Sequence, residues 1–473
     1  MSTFLCVYLV ALVVCNGLSV GIGDETPPPT LQRYFADMDW YPLDCSERSE
    51  GGRSARTKFD GALSDAVAAY TKESATFTHI KGAGDELGKL LVERSGLSTA
   101  AFTANYELLS TMSAVAEERR LEYVSSTVFG DATPAVAAEG VAVLEGGIWP
   151  ACDYQRSSSE LRARSDGPSG YTAVRDVLGH LARDFQTDGG RERDDAHALY
   201  DKVVDLAVKS IRAAMDVRCA ASGRAHLRVL VPGVGLGGLL FRLRTSLSQL
   251  VPTDGCEVHV DVVGTECSPS MLVALGWVSN WHREGSPTTI HPWAWHQGNM
   301  LRVRDMYLPA SITPTPPISS GGVAVWAAVV GGDVFAERGW ETANASFQSW
   351  VHRQPSHNPS DAALQFDVVL TSYVVDAVTS SGGVTHTLDR IVALLRPSGH
   401  WVNFGPLQYH SEEQHPKLSA EELLAYMKDV YGLVPDRPLT SLVAGAVPYS
   451  TPPTVGLIES RHLPLLFSMG RSL

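Results

Sequence analysis

The chain has 473 residues, of which 44% are hydrophobic and 19% are charged, so it can bury a large core as one big or two ordinary domains. Its formal net charge of −14 argues against a nucleic-acid partner, because binding to a polyanion is driven by lysine and arginine. We therefore expect chemistry on a small molecule.

The chain opens with an apolar run, Phe4–Cys15, which has the length of a signal-peptide core and is too short for a comfortable membrane span. We interpret residues 1–22 as a possible signal peptide or hydrophobic leader without a stable membrane span. Residues 23–56 are rich in Pro, Gly, Ser and charge and are predicted to form a linker. The remaining cysteines are scattered without CxxC spacing, so we predict neither a disulfide framework nor a metal site: Cys45, Cys152, Cys219, Cys256 and Cys267.

Residues 57–170 are predicted to be a helical N-terminal region with an irregular connection. Clusters of Gly, Pro and Ser from Val124 to Gly170 favour the irregular part. Two sets of apolar residues at helical spacing predict two or more amphipathic helices that pair across 58–120, with packing as their role. The sets are Phe59, Leu63, Val67 and Tyr70, and Phe102, Tyr106, Leu109, Met112 and Val115.

Two further helices are predicted, Tyr171–Gln186 and Arg191–Met215, separated by a pair of glycines. His180 and Arg183 lie three positions apart and share one face of the first helix. Spacing alone favours a solvated polar face for this pair.

A glycine-rich segment follows a predicted buried strand, Val229–Val231, and opens an apolar helix. Gly233, Gly235 and Gly237 allow a tight turn and a close approach of backbone to ligand, and the helix offers free N–H groups, so the segment is typical of a nucleotide cradle. Extended to Gly238 as G-x-G-x-x-G it fits a dinucleotide fold. As G-x-G-x-G it fits the S-adenosylmethionine loop of class I methyltransferases.

Acidic residues follow the next two predicted strands. Val258–Val263 leads to Glu266, which is placed to accept hydrogen bonds from ribose hydroxyls. Val323–Val330 leads to Asp333, which could reach an adenine amino group. Glu266 follows Gly233 by more than thirty positions, whereas a nicotinamide-dependent oxidoreductase has about twenty between loop and acid, so that class is the weaker alternative.

The fourth predicted strand, in FDVVLTSYVVDAV, ends beside Asp376, where a carboxylate without a partner would be costly. A helix over Thr385–Leu395 and a break at Arg396–Gly399 precede the fifth strand, His400–Phe404, which leads to His410. Both polar residues are candidate site residues, since ligands of parallel sheets bind at the carboxyl ends of strands.

The alternation of strands and helices over residues 171–473 predicts an α/β domain with a doubly wound, mostly parallel sheet. Its glycine loop fits the Rossmann-like class I methyltransferase type of this fold. Several segments in it, in order from about Tyr171 to His410, together resemble the carnosine N-methyltransferase family. These are ARDFQTDGGRERD, LVPGVGLGGL, GTECSPSML, PWAWHQ, GGDVF, the strand leading into Asp376, and LLRPSGHWVNFGPLQYH.

The resemblance implies an S-adenosylmethionine-dependent enzyme that methylates the imidazole of carnosine, giving anserine, or of a related histidine-containing peptide. It implies peptide contacts at Asp376 and His410. Cofactor contacts are implied at Arg183, Gly233, Glu266, Asp333 and Val334, and at His180, which takes the place of a family glutamine. Gly235 is a further predicted cofactor contact, on the evidence of the glycine loop itself.

Two further departures from the family lie outside these positions. Gly238 stands where the family has arginine, and the tyrosine expected near the carboxyl terminus is missing from Ile458–Leu466. A protein that binds the cofactor without catalysis therefore stays open as an alternative. We expect a cytoplasmic location, because the cofactor is made there, with the secretory pathway as the alternative suggested by the apolar leader.

Overall fold

The computed structural model describes residues 67–72, 100–114, 169–187, 191–252, 255–266, 268–281, 288–294, 300–313, 323–331, 334–335, 365–377, 383–409, 417–438, 442–443, 445, 447–448 and 461–471. The predicted leader and linker lie outside these residues. So do Asp333 and His410, and so do three residues of the predicted N-terminal helices, Phe59, Leu63 and Val115. The division of the chain at residue 171 stays a prediction.

The helices are α1 (67–72), α2 (100–114), α3 (Ser169–Phe185), α4 (Arg191–Ser222), α5 (Gly238–Ser248), α6 (Pro269–Gly276), α7 (Gly383–Leu394) and α8 (Ala420–Tyr431). A π-helical turn covers Trp277–Trp281 and a 3-10 turn covers Val303–Tyr307. The strands are β1 (Arg224–Pro232), β2 (Glu257–Glu266), β3 (Thr289–Ile290), β4 (Ala310–Ser311), β5 (Ala324–Gly331), β6 (Phe366–Ser372), β7 (Leu395–Gly405), β8 (Leu433–Pro435), β9 (Val447–Pro448), β10 (Arg461–His462) and β11 (Leu465–Arg471).

The main sheet has the order β5-β2-β1-β6-β7-β11-β8. Strands β5, β2, β1, β6 and β7 are parallel to their neighbours, and β11 runs antiparallel to β7 and β8. The predicted doubly wound, mostly parallel sheet is therefore confirmed. The two strands at its carboxyl-terminal edge, β8 and β11, were not predicted.

The direction of winding reverses between β1 and β6. From β1 the chain builds outward through β2 to β5, and it then returns to the other side of β1 to form β6 and β7. A crevice opens at such a reversal, outside the carboxyl ends of the strands, and this is where ligands of doubly wound sheets bind. The glycine-rich segment after β1 and the residues after β6 both lie at this point.

Helix α4 packs against β1, β6, β7 and β11 and supports the sheet below this crevice. Apolar residues recur at every fourth position along it, which gives it a continuous buried face. The helix ends at Ser222, seven residues beyond the predicted end at Met215, and the same apolar spacing continues to Cys219. The buried residues are Leu199, Val203, Ala207, Ile211, Met215 and Cys219.

The predicted break at Arg396–Gly399 is an irregularity inside β7 rather than a gap before it. Leu395 pairs with Phe366 and His400 pairs with Val368, so the four residues between them face a single residue of β6, Asp367. Proline cannot donate to a regular ladder and is tolerated at such a bulge. The prediction that the strand begins at His400 was therefore wrong by five residues.

The N-terminal helices α1 and α2 attach to the segment between β2 and β5. The Asn105 side chain donates to the Tyr70 hydroxyl at 2.7 Å and accepts from the His291 backbone N–H at 2.7 Å. Phe102 packs against the ring of Tyr307. Val67, Leu109 and Met112 are buried as predicted, whereas Tyr106 is 43% exposed and does not contribute to the core.

A disulfide joins Cys219, in the last turn of α4, to Cys256, just before β2, with 5.6 Å between their Cα atoms. The expectation that no cysteines pair was wrong for these two. They are 37 residues apart in sequence, and only the fold brings the end of α4 next to the start of β2. Among the residues that the structure describes, no helix is both long and apolar enough to cross a membrane.

Candidate functional site

The glycine-rich segment turns sharply between β1 and α5. Gly233, Gly235 and Gly237 have φ values of 63°, 56° and 85°, a conformation that a residue with a Cβ rarely adopts. Gly235 also sits under α3, because a Cβ built on it would lie 3.3 Å from the His180 Nδ1 atom. The loop therefore presents bare backbone to the crevice.

Glu266, at the end of β2, holds this loop in place. Its carboxylate is buried and accepts the Gly235 N–H at 2.8 Å and the Ser268 N–H at 2.8 Å. A carboxylate oxygen can accept more than one hydrogen bond, so these contacts leave capacity for ribose hydroxyls. The position of the loop therefore depends on this side chain.

Ser268 is a polar residue of this site that the sequence did not single out. It is 1% exposed, and its hydroxyl oxygen is enclosed without a hydrogen bond in the described part of the chain. It precedes α6 but does not cap that helix with its side chain. Its position two residues after Glu266 was the available signal.

The last turn of α3 forms a closed polar network over the start of α5. Arg183 donates from Nε to the Asp184 carboxylate at 2.7 Å, and the Tyr200 hydroxyl donates to the same carboxylate at 3.0 Å. A Cβ built on Gly238 would lie 2.6 Å from the Asp184 Cγ atom. The side chain that the family carries at position 238 therefore has no room in this arrangement.

His180 lies one turn before this network and is not part of it. Burial and, to a lesser extent, the charge of Arg183 lower the pKa of His180 to about 3 although Asp184 opposes the shift, so the imidazole is neutral. Its Nδ1 atom is enclosed and makes no hydrogen bond within the described residues. A neutral ring with an open nitrogen beside the glycine loop is suited to a ligand contact.

Asp376 lies four residues after the end of β6. Its side chain is 4% exposed and accepts a hydrogen bond from the Gln408 N–H at 3.0 Å. Burial raises the pKa of Asp376 to about 6, although backbone N–H groups lower it. No basic side chain pairs with it among the residues that the structure describes.

Tyr373 connects the two halves of the crevice, and no pattern in the sequence indicated this role. It has a φ of 54° and donates its backbone N–H to the Phe404 carbonyl at 2.8 Å. Burial raises the pKa of its hydroxyl, Arg183 opposes this shift, and Asp376 adds to it, which places Tyr373 between both charges. The residue thus borders α3 and Asp376 together.

The segment that lacks the tyrosine expected from the family contributes a residue, His462, beside Tyr373. His462, in β10, has its ring centroid 6.2 Å from that of Tyr373. A different aromatic side chain therefore lines the crevice near the segment after β6.

Most of the predicted site residues that the structure describes converge on the crevice. A Cβ on Gly233 would lie 2.9 Å from Val374, which joins the glycine loop to the segment carrying Asp376. Val334 follows β5 and is buried in the core cluster. The described residues contain no group of His, Cys, Asp or Glu that could hold a metal ion.

The family model for carnosine N-methyltransferase matches residues 165–436, more than half of the chain. The chain belongs to the carnosine N-methyltransferase family. The matched range runs from just before α3 to just after β8 and includes every element of the crevice except His462. The resemblance read from the sequence is thereby confirmed.

Individual family members are distant in sequence. The Drosophila melanogaster carnosine N-methyltransferase unmet is 26% identical over 266 residues, which are 55% of this chain and 48% of that protein. The carnosine N-methyltransferases of Schizosaccharomyces pombe and Rattus norvegicus are 25% and 24% identical, over 51% and 54% of this chain and 53% and 52% of their own lengths. The chain thus spans about half the length of the curated relatives it matches.

Among solved structures, a magnesium protoporphyrin IX methyltransferase from Synechocystis matches with 10% identity and a TM-score of 0.29, over 63% of this chain and 90% of that one. The carbon methyltransferase DszA matches with 15% identity and a TM-score of 0.31, over 95% and 98% of the two chains. Scores this low carry no argument, and the fold assignment rests on the strand order of the chain itself.

Proposed function

We propose that this chain is an S-adenosylmethionine-dependent N-methyltransferase that methylates the imidazole of carnosine, or of a related histidine-containing peptide. The observation that carries the proposal is the state of Asp376. It is a buried carboxylate without a basic partner in the described part of the chain, and it lies at the winding reversal beside the glycine loop. A family whose relatives are named for carnosine methylation supports the choice of acceptor.

The residues at the crevice fit the proposed cofactor. The glycine loop leaves space that a Cβ at Gly235 would fill, and Glu266 lies at the end of β2, where a ribose is recognised. Two N–H groups of Arg183 bond to Asp184, and the others remain for a carboxylate. When bound, S-adenosylmethionine supplies a methyl group that its sulfonium activates.

Asp376 would act on the acceptor. One imidazole nitrogen attacks while the other carries the proton, so a carboxylate that accepts this N–H fixes the reactive tautomer. The ring becomes a cation as the methyl group is transferred, and the negative charge of Asp376 stabilises it. His410 is proposed to orient the same peptide, and the enclosed walls of the crevice exclude water and align the reactants.

A pair of measurements tests the proposal. We expect equilibrium binding of S-adenosylmethionine without binding of NAD, followed by transfer of a labelled methyl group to the imidazole of carnosine. Binding of NAD would favour an oxidoreductase, which the spacing from Gly233 to Glu266 argues against. Cofactor binding without transfer to carnosine or other histidine-containing peptides would favour a protein that binds the cofactor without catalysis.

We further propose a cytoplasmic location, because the proposed cofactor is made there. Disulfides are rare in that compartment, so the Cys219–Cys256 bond is the observation that argues against this location. We expect Asn344 to carry no glycan in protein isolated from its natural cell. An intact Cys219–Cys256 bond together with a glycan on Asn344 would assign the chain to the secretory pathway instead.

A further inference from the structure

Helix α3 carries a second polar group that the preceding mechanism does not use. Asp176 is 7% exposed, its Oδ2 atom is enclosed, and its carboxyl group makes no hydrogen bond in the part of the chain that the structure describes. Burial raises the pKa of Asp176 to about 8, and Arg175 offsets only part of this shift. Buried carboxyl groups in folded proteins are normally hydrogen-bonded, so this one calls for an explanation.

The position of Asp176 relates it to the cofactor loop. It lies four residues before His180, and residues four apart share a helix face with about 5 to 6 Å between their Cβ atoms. The His180 Nδ1 atom lies 3.3 Å from the position that a Cβ on Gly235 would take. Asp176 is therefore one helical turn from a side chain that touches the loop, on the side away from Asp184.

The same helix face shows what a satisfied group looks like. Asp184 receives hydrogen bonds from Arg183 and Tyr200 and closes the last turn of α3 over α5. One and two turns earlier, His180 and Asp176 receive none in the described residues. The protein thus completes its own polar contacts at one end of the face and leaves two adjacent groups open at the other.

A carboxyl group in such a place is matched by a cationic hydrogen-bond donor that arrives with the ligand. We propose that Asp176 binds the primary ammonium group of a ligand in this crevice. The inference rests on the proposed function, because both proposed ligands carry such a group: the amino-acid part of S-adenosylmethionine and the β-alanyl part of carnosine. As the ammonium enters, the carboxyl group gives up its proton to solvent and becomes the charged partner.

The variant Asp176→Asn tests this with ligands that differ in the ammonium group. By calorimetry, S-adenosylhomocysteine is compared with 5′-methylthioadenosine, which lacks the amino-acid part. By steady-state kinetics, the KM for carnosine is compared with that for N-acetylcarnosine. We expect a loss of about tenfold to a hundredfold for one ligand with an ammonium group and no change for its analogue without one. Which pair responds identifies the source of the ammonium.

Asp261→Asn is the matched control. Asp261, in β2, is also buried, but it is paired with His226 of β1 at 2.6 Å and lies outside the crevice. The control should leave all four affinities unchanged. The Tm of Asp176→Asn should stay close to that of the parental protein, since one buried polar group without a partner replaces another of the same size. If the asparagine variant does not fold, Asp176→Leu takes its place in the same assays.

Unchanged affinity for all four ligands in a folded variant would overturn the inference and make Asp176 a buried carboxyl group without a ligand. Equal losses for ligands with and without the ammonium would also overturn it, since they indicate a distorted helix. The proposed function is judged separately on the parental protein. If that protein binds no S-adenosylhomocysteine, both proposals fail, whereas normal parental activity with an unaffected variant removes only the role of Asp176.

Discussion

Two buried aspartates at opposite ends of β6 differ in how their charge is compensated. Asp367, near the amino end, is 2% exposed and interacts with the guanidinium groups of Arg218 and Arg396, and it accepts the Arg228 N–H at 2.8 Å. Asp376, beyond the carboxyl end, is 4% exposed and has backbone N–H donors only. Both carboxyl groups are equally hidden from water, yet only one has basic partners.

The difference distinguishes a carboxylate that holds the sheet together from one that is available to a ligand. At the amino edge the protein supplies every partner itself, as expected of a group whose task is to hold strands together. At the carboxyl edge it leaves Asp376, His180 and Asp176 incompletely satisfied, at a cost in stability. Such a cost is understandable where a ligand completes the contacts. Each of the following variants changes one side of this comparison.

The largest effect is expected from Gly235→Val. The added side chain would occupy the space between the loop and His180, where a Cβ alone comes within 3.3 Å of Nδ1. We expect complete loss of S-adenosylmethionine binding by calorimetry in a protein that still unfolds cooperatively. Undiminished affinity in the folded variant would show that the loop is not the cofactor cradle.

Gly255→Val is the control for this variant. Gly255 has a φ of 77°, close in kind to the 56° of Gly235, but a Cβ there meets nothing within 4 Å. Both substitutions share the strain of a side chain at positive φ, about 1 to 2 kcal/mol, and only one of them fills the crevice. Cofactor binding should survive in Gly255→Val.

Asp367→Asn should act on stability alone. The change leaves Arg218 and Arg396 without their carboxylate, which in a buried setting costs about 3 kcal/mol. Urea unfolding should show this loss, and the affinity for S-adenosylmethionine should stay at the parental value. A folded Asp367→Asn protein with weakened cofactor binding would break the separation between the two edges.

The pH dependence of stability should reveal Asp376. Because its pKa in the folded protein is raised to about 6, the native state binds a proton more tightly than the unfolded chain, and stability falls as pH rises from about 4 through 6. Asp376→Asn has no carboxyl group at this position and therefore lacks this dependence of stability on pH. The free energy of unfolding of Asp376→Asn minus that of the parental protein should therefore increase by about 2 to 3 kcal/mol between pH 4 and pH 7.5, which means that the variant becomes relatively more stable.

Other ionisable groups do not obscure this difference. Tyr373 and Tyr409 face Asp376, but burial raises the pKa of both hydroxyls, that of Tyr409 to about 12, so neither titrates in this range. Groups elsewhere are common to both proteins and cancel. A difference in stability that does not vary with pH would mean that Asp376 has an ordinary pKa and is not held in a costly state.

Glu266→Ala should weaken cofactor binding less than Gly235→Val does. It leaves the N–H groups of Gly235 and Ser268 without their acceptor and removes a partner for the ribose. We expect binding weaker by about 1 to 3 kcal/mol, as is usual for a lost hydrogen bond in a closed site. Parental affinity in calorimetry would make Glu266 a structural residue of the loop without a role toward the cofactor.

The sequence predicted the parallel strands well because their apolar runs and the glycines after β1 are local signals. It did not predict β8 and β11. It did not indicate His462 either, because the contact of His462 with Tyr373 depends on the antiparallel return of the chain. The disulfide between Cys219 and Cys256 was missed for the same reason. Pairings between distant segments leave no local pattern.

Within the crevice, the positions of Glu266 and Asp376 followed from the rule that ligands bind beyond strand ends. The hydrogen bonds and charge partners of these two residues did not follow from that rule. Sequence could not show that Glu266 holds the Gly235 N–H or that Asp376 lacks a basic partner in the described fold. Asp176 was not predicted either, because a single acid on an amphipathic helix looks solvated until the packing of α3 is known.

The most direct test is the single-turnover rate of methyl transfer to carnosine by Asp376→Asn saturated with S-adenosylmethionine, with the Tm measured beside it. Asparagine keeps the size of the side chain and can accept the Gln408 N–H, but it loses the charge that stabilises the imidazolium product. We predict a rate lower by about a hundredfold to a thousandfold, or about 3 to 4 kcal/mol, with unchanged cofactor affinity and no loss of Tm at pH 7.5. A variant that methylates carnosine at the parental rate would contradict the account.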